Sequence, residues 1–79
     1  MMSKTNLTAL IWEEEGVFVS KCPEIEVSSA GDTPQEALSN LKEAIELWLE
    51  NAKELGLLED YSQIFSTKQK FTSQIEMDI

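Results

Sequence analysis

Residues 28–50 read SSAGDTPQEALSNLKEAIELWLE, and the reading of this stretch decides the fold. A short β-prone run closes at Gly31, a small polar turn follows, and apolar residues then recur at helical spacing. Asp32-Thr33-Pro34-Gln35-Glu36 carries the parts of a helix start. Asp32 or Thr33 can accept hydrogen bonds from the free N–H groups of the first turn. Pro34 suits the first helical position, where its missing N–H loses nothing. With Thr33 as N-cap, Glu36 is the third helical residue and completes a capping box. Ala37, Leu41, Ala44, Ile45, Trp48, Ala52 and Leu55 follow on one stripe, with Leu38 and Leu49 at its edges. Gly56 is suited to the stop. The pattern predicts a helix from Pro34 to Leu55.

A glycine before a helix is also how phosphate loops begin. A Walker loop needs several glycines and a Lys followed by Ser or Thr, and a dinucleotide loop needs three spaced glycines. Here Gly31 stands alone, and the acidic Asp32 and Glu36 occupy the positions an anion would approach. The stretch reads as a capped helix after a tight turn.

Upstream, LTALIW (residues 7–12) is an apolar run of strand formers. EEEG (13–16) interrupts it, and VFVSKC (17–22) begins a second run. Two such runs around a glycine-containing turn predict a β-hairpin. Leu7, Ala9 and Ile11 share one face of the first strand; Leu10 and Trp12 share the other. Both faces are apolar, which predicts a central strand covered on both sides. Pro23 ends the second run, because it cannot donate to a ladder. EVSSA (26–30) predicts a third, weaker strand.

Downstream of Gly56, residues 57–65 are ambiguous between a turn and a short helical piece. Phe71, Ser73, Ile75, Met77 and Ile79 then alternate with Thr72, Gln74, Glu76 and Asp78, the pattern of a half-buried strand. The expected order is β-β-β-α-β: one α+β domain over residues 1–79, with its core in 7–55, a C-terminal strand at about 67–79, and one long helix packed on a small, mainly antiparallel sheet.

The whole chain has 79 residues, 42% of them apolar and 27% charged, which suits one globular domain. A chain this short buries only about 60% of its unfolded surface. A second copy would add burial, so a homodimer or a higher even-numbered assembly is expected. The N-terminal MMSKTNLTALIW is too short and polar for a signal peptide. No apolar run approaches the ~20 residues that span a bilayer. One cysteine, Cys22, excludes an internal disulfide, and a cytoplasmic location is expected.

Charge narrows the function. Fifteen Asp and Glu face six Lys, with no Arg and no His, for a net charge of −9. Nucleic-acid affinity comes largely from cations that neutralise phosphates, so direct nucleic-acid binding is disfavoured and basic partners are favoured. Without histidine, Cys22 lacks the usual activating base and zinc lacks its usual ligands. Glu13, Glu14 and Glu15 are consecutive and diverge, so they do not form a metal-binding cluster. No cofactor, metal or catalytic group is expected. The predicted helix has an acidic face instead, with Glu36, Glu43, Glu46, Glu50 and Glu54 off the apolar stripe. Glu46, Glu50 and Glu54 are like-charge neighbours at i,i+4, a mildly destabilising arrangement. Leu47 also projects off the stripe. Such a face is either solvated or a surface for a basic partner, and Glu43, Glu46, Leu47, Glu50 and Glu54 are the candidate contact residues.

The combined pattern CPEIEVSSAGDTPQEALSNLKEAIELWLE resembles the core signature of the HicB-like antitoxin family. The likeness is carried by Pro23-Glu24, Ser28-Ser29, Gly31-Asp32-Thr33, Glu36-Ala37-Leu38 and Asn40-Leu41-Lys42-Glu43-Ala44, and the upstream hairpin suits it. It covers residues 7–55. The resemblance implies a partial ribonuclease H-like β-β-β-α-β core without catalysis. It also implies an antitoxin role, in which the protein masks a small basic HicA-type mRNA ribonuclease of double-stranded-RNA-binding fold. Many members carry a DNA-binding domain after this core. The tail here is 23 residues with only Lys68 and Lys70 as cations, so a short form without operator binding is expected. The alternative is a stand-alone structural or regulatory homo-oligomer with no toxin.

Overall fold

The β1–β2 hairpin turns on two residues. Glu15 (φ 50°) and Gly16 (φ 84°) both lie in the left-handed region, and Glu14 pairs with Val17 across them. This is a turn that matches the right-handed twist of its strands. The computed structural model of the chain describes residues 6–66 and 71–79. β1 is Leu10–Glu14, β2 is Val17–Cys22 and β3 is Val27–Gly31. They form an antiparallel meander in the order β1-β2-β3. β2 ends at the residue before Pro23, as expected. β1 differs from expectation: Glu13 and Glu14 belong to the strand, and the turn is only two residues long.

After β3, only Asp32 and Thr33 separate the sheet from α1, Pro34–Glu54. Thr33 is the N-cap, and its hydroxyl accepts from the Glu36 amide at 3.0 Å. That is the hydroxyl half of the expected capping box. The far end closes one residue earlier than predicted, with Leu55 as C-cap. Gly56 takes a φ of 71°, its amide reaches Lys53 O at 3.2 Å, and the Leu57 amide reaches Ala52 O at 2.8 Å. These are the paired bonds of a Schellman stop. Residues 57–65, ambiguous in sequence, form a 3-10 turn, Leu58–Tyr61, and a short α2, Ser62–Ser66.

Directly paired residues of antiparallel strands point to the same side. Ile11, Ser20 and Ser29 are aligned across the three strands. Buried Ser20 donates from Oγ to Ala37 O at 2.8 Å, so this is the side that α1 covers. The core sits there: Cys22, Ile25 and Leu41, with Leu7, Val27, Ile45, Trp48, Tyr61 and Phe65 around them. Trp48 meets Tyr61 edge-on at 5.0 Å and Phe65 edge-on at 6.4 Å. These aromatic contacts hold the 3-10 turn and α2 against the C-terminal half of α1. Within the predicted stripe, Ala37, Leu41 and Ala52 are buried, but Leu55 is 72% exposed. It lies beyond the sheet, at the helix cap.

Two expectations are corrected. β1 is an edge strand, not a central one, because the short turns fold the three strands into a meander in chain order. Its apolar faces are only part covered, with Ile11 36% and Trp12 39% exposed. The opposite side of the sheet presents Leu10, Trp12, Val17, Val19 and Ala30, and no described helix lies on it. The C-terminal strand is the second correction. Its residues 67–70 lie outside the described residues, and 71–79 pair with no strand in the single copy. The folded order among the described residues is therefore β-β-β-α with short helical additions, an α+β fold.

Candidate functional site

The role of Gly31 follows from the backbone around it. A Cβ there would stand 2.6 Å from Ala37 N and 2.8 Å from Glu36 C. Both are atoms of the first turns of α1, which cannot move aside as a flexible side chain could. The glycine is required so that α1 can lie against β3. The Thr33 hydroxyl serves the same helix start. This stretch is built for packing.

All five candidate partner residues lie on α1, and all five are exposed: Glu43, Glu46, Leu47, Glu50 and Glu54. Their spacings of three and four residues align them along one side of the helix. They face away from Ala37, Leu41 and Ala52, which are buried. Leu47 is 62% exposed, so an apolar side chain sits among four carboxylates. Glu36 is also exposed, one turn and more toward the N-terminus. The stripe can attract cations and offer one apolar contact.

A second polar cluster was not legible from residue spacing. Glu24, in the turn between β2 and β3, gathers the chain entering β1. Thr8 donates its amide to Oε1 at 3.0 Å and its hydroxyl to Oε2 at 2.6 Å. The Cys22 thiol donates to Oε1 at 3.3 Å. Burial by itself raises the Glu24 pKa. The hydroxyl and amide of Thr8, its own backbone and the Cys22 thiol outweigh burial and bring it down to about 2. These bonds favour the ionised carboxyl. Burial, followed by the bond from the thiol to Glu24, pushes Cys22 up instead. A thiol held protonated is a poor nucleophile. Cys22 is fully buried at the end of β2, so the cluster pins residues near Thr8 to the turn. Only the side-chain types at 8, 22 and 24 could have signalled it, and a separation of 16 residues between Thr8 and Glu24 hides it from pattern reading.

A groove of about 430 Å³ runs between residues 7–9 and α1, floored by Leu7, Ala9, Leu41 and Ile45, with Leu38 and Lys42 also on its lining. Leu38 is 48% exposed there. Among the described residues, no group of three His, Cys, Asp or Glu is placed to hold a metal ion. No helix among them is long and apolar enough to cross a membrane. Glu13, Glu14 and Glu15 are all exposed around the hairpin turn.

In comparisons with known proteins, no family model, no curated protein and no solved structure matches the chain.

Proposed function

We propose that this chain is an antitoxin-like binding protein of the HicB-like kind, which masks a small basic HicA-type mRNA ribonuclease. The observation that carries the reading is the exposed stripe Glu43, Glu46, Leu47, Glu50 and Glu54 on α1, in a chain of net charge −9 without arginine. A protein that grips RNA must present cations where phosphates sit, and carboxylates compete for those cations. Leu47 supplies the apolar contact inside a polar rim. The reading includes a cytoplasmic location, no catalysis, no cofactor and no direct nucleic-acid contact. It also takes the sheet and α1 as a partial ribonuclease H-like core, which a fourth strand beside β1 would complete.

The test is a titration of the intact chain against a small basic ribonuclease encoded beside it, with RNA cleavage as the second readout. Charge pairing mainly speeds association, so added salt should slow the on-rate. Glu46→Lys with Glu50→Lys should slow association about 10-fold or more and weaken protection, as steering charges do. Unchanged association and protection would remove the helix face. Failure of the unmodified chain to bind would remove the antitoxin reading. A second reading, a stand-alone homo-oligomer without a toxin, is favoured by the open groove between residues 7–9 and α1.

A further inference from the structure

One copy of the chain leaves two features open that fit each other. The first is the outer edge of β1, together with the groove between α1 and residues 7–9 that lead into it. α1 packs chiefly on β3, less on β2 and least on β1, so the helix-facing side next to β1 stays uncovered. The second is residues 71–79. They make no ladder in the single copy, and Phe71 is 88%, Ile75 80% and Met77 71% exposed, with Ile79 fully so. The row Phe71, Ser73, Ile75, Met77 and Ile79 is a strand's apolar face without a sheet beneath it.

We propose that residues 71–79 of one copy add as a fourth strand to the free β1 edge of a second copy, and that the exchange is mutual. Nine residues in a strand span about 30 Å, enough to cover the five residues of β1, about 17 Å, and to run on past residues 7–9. Added beside β1, the segment turns alternate side chains toward α1, where Leu38, Leu41 and Ile45 line the groove. Its other row, with Glu76 and Asp78, takes the opposite side. The strand removes an unpaired edge, which an isolated copy would otherwise present to any extended chain.

The area and extent of the single copy show how much surface a second copy could cover. The single copy exposes 6793 Å², whereas a compact monomer of 8.9 kDa exposes about 4,800 Å². Its radius of gyration is 14.3 Å, against about 11.6 Å for a compact domain of this length. A chain that closed on itself would show the groove filled and the segment buried in one copy, and neither is so. The excess of roughly 2,000 Å² per copy, about 4,000 Å² for a pair, falls in the range that obligate two-chain interfaces remove. At the other edge strand, β3, Asn40 donates to Ala30 O at 2.8 Å and so takes up one backbone acceptor.

Light scattering over a range of concentrations, joined to hydrogen exchange on the intact chain, tests the exchange. The expected result is a mass of two chains with slowly exchanging amides in 71–79. Ile75→Asp with Met77→Asp, and separately Leu38→Glu, should weaken association at least 100-fold while far-UV circular dichroism stays unchanged, since all three side chains are exposed in the single copy. Mixing the two variants should partly restore a two-chain species, because one of its two exchanges then joins an intact segment to an intact groove. A one-chain mass, with the segment either free or closed on its own groove, overturns the proposal. So does a dimer that survives both variants, or a mixture that fails to recombine. None of these outcomes depends on a toxin, so the antitoxin reading stands or falls separately.

Discussion

The two edges of one short sheet are treated differently by the same helix. At β3, contact is close: Gly31 lies against the backbone of Glu36 and Ala37, and Asn40 bonds to Ala30. Ser20 of the neighbouring β2 bonds to Ala37. Toward β1, the same helix leaves a groove against residues 7–9 with Leu38 half exposed on its lining. The link Asp32-Thr33 is too short to let α1 start anywhere but over β3. A two-residue connection thus fixes where burial is complete, and it leaves the other edge uncovered in one copy.

The largest expected effect tests the crowded edge. Gly31→Val should destabilise the fold by about 3 kcal/mol, the upper end for overpacking against parts that cannot relax. Chemical denaturation measures it, and a variant as stable as the parent would mean that α1 can lift from β3 freely. Ser39→Val on the groove side of the helix should change monomer stability by less than about 0.5 kcal/mol, as exposed substitutions do. Equal losses at the two positions would erase the contrast.

The next effect is pH-dependent and concerns the residues leading into β1. The Glu24 carboxyl has a folded pKa of about 2, below its ordinary 4.5. A depressed folded pKa stabilises above the unfolded value and is lost as pH falls through the folded one. The contribution is therefore full above about pH 4.5 and fades toward pH 2. Discounted for the solvent that still reaches the carboxylate, it amounts to roughly 1–2 kcal/mol. Glu24→Gln should abolish that part of the acid dependence, read as the difference between the two stability curves from pH 5 to 2. Parallel curves would show that Thr8 does not need the charge.

Thr33→Ala should cost about 1 kcal/mol, as the loss of an N-cap does. Thermal unfolding measures it, and an unchanged midpoint with lost binding of some ligand would return Thr33 to a site. The smallest effect belongs to the acidic stripe. Leu47→Ala should leave stability within about 0.5 kcal/mol, as substitutions of exposed side chains do. A larger loss would mean that the stripe supports the fold and is not a free surface.

Local signals carried most of the fold. The Thr33-Pro34-Glu36 start, the Gly56 stop and the Glu-Gly turn act through bonds between residues a few positions apart, so each was legible from residue type and spacing. The acidic stripe was legible for the same reason, since helical period alone puts Glu43, Glu46, Leu47, Glu50 and Glu54 on one side. What failed was burial. Alternating apolar residues predict that a strand wants two covered faces, but they do not say what covers them. β1 proved an edge, and residues 71–79 showed a strand pattern with no strand partner. The Glu24 cluster escaped as well, because Thr8 and Glu24 meet only when the meander closes.

By itself, the sequence determined the helix with both its ends, the hairpin, the acid balance and the apolar alternation at the C-terminus. All of these rest on short-range geometry or on composition. Only the tertiary structure decided which edge α1 covers, why Gly31 must lack a side chain, and how Thr8 and Cys22 converge on Glu24. Those depend on where the two-residue link releases the helix over the sheet. That placement sets contacts between residues far apart in the chain, which no local spacing encodes.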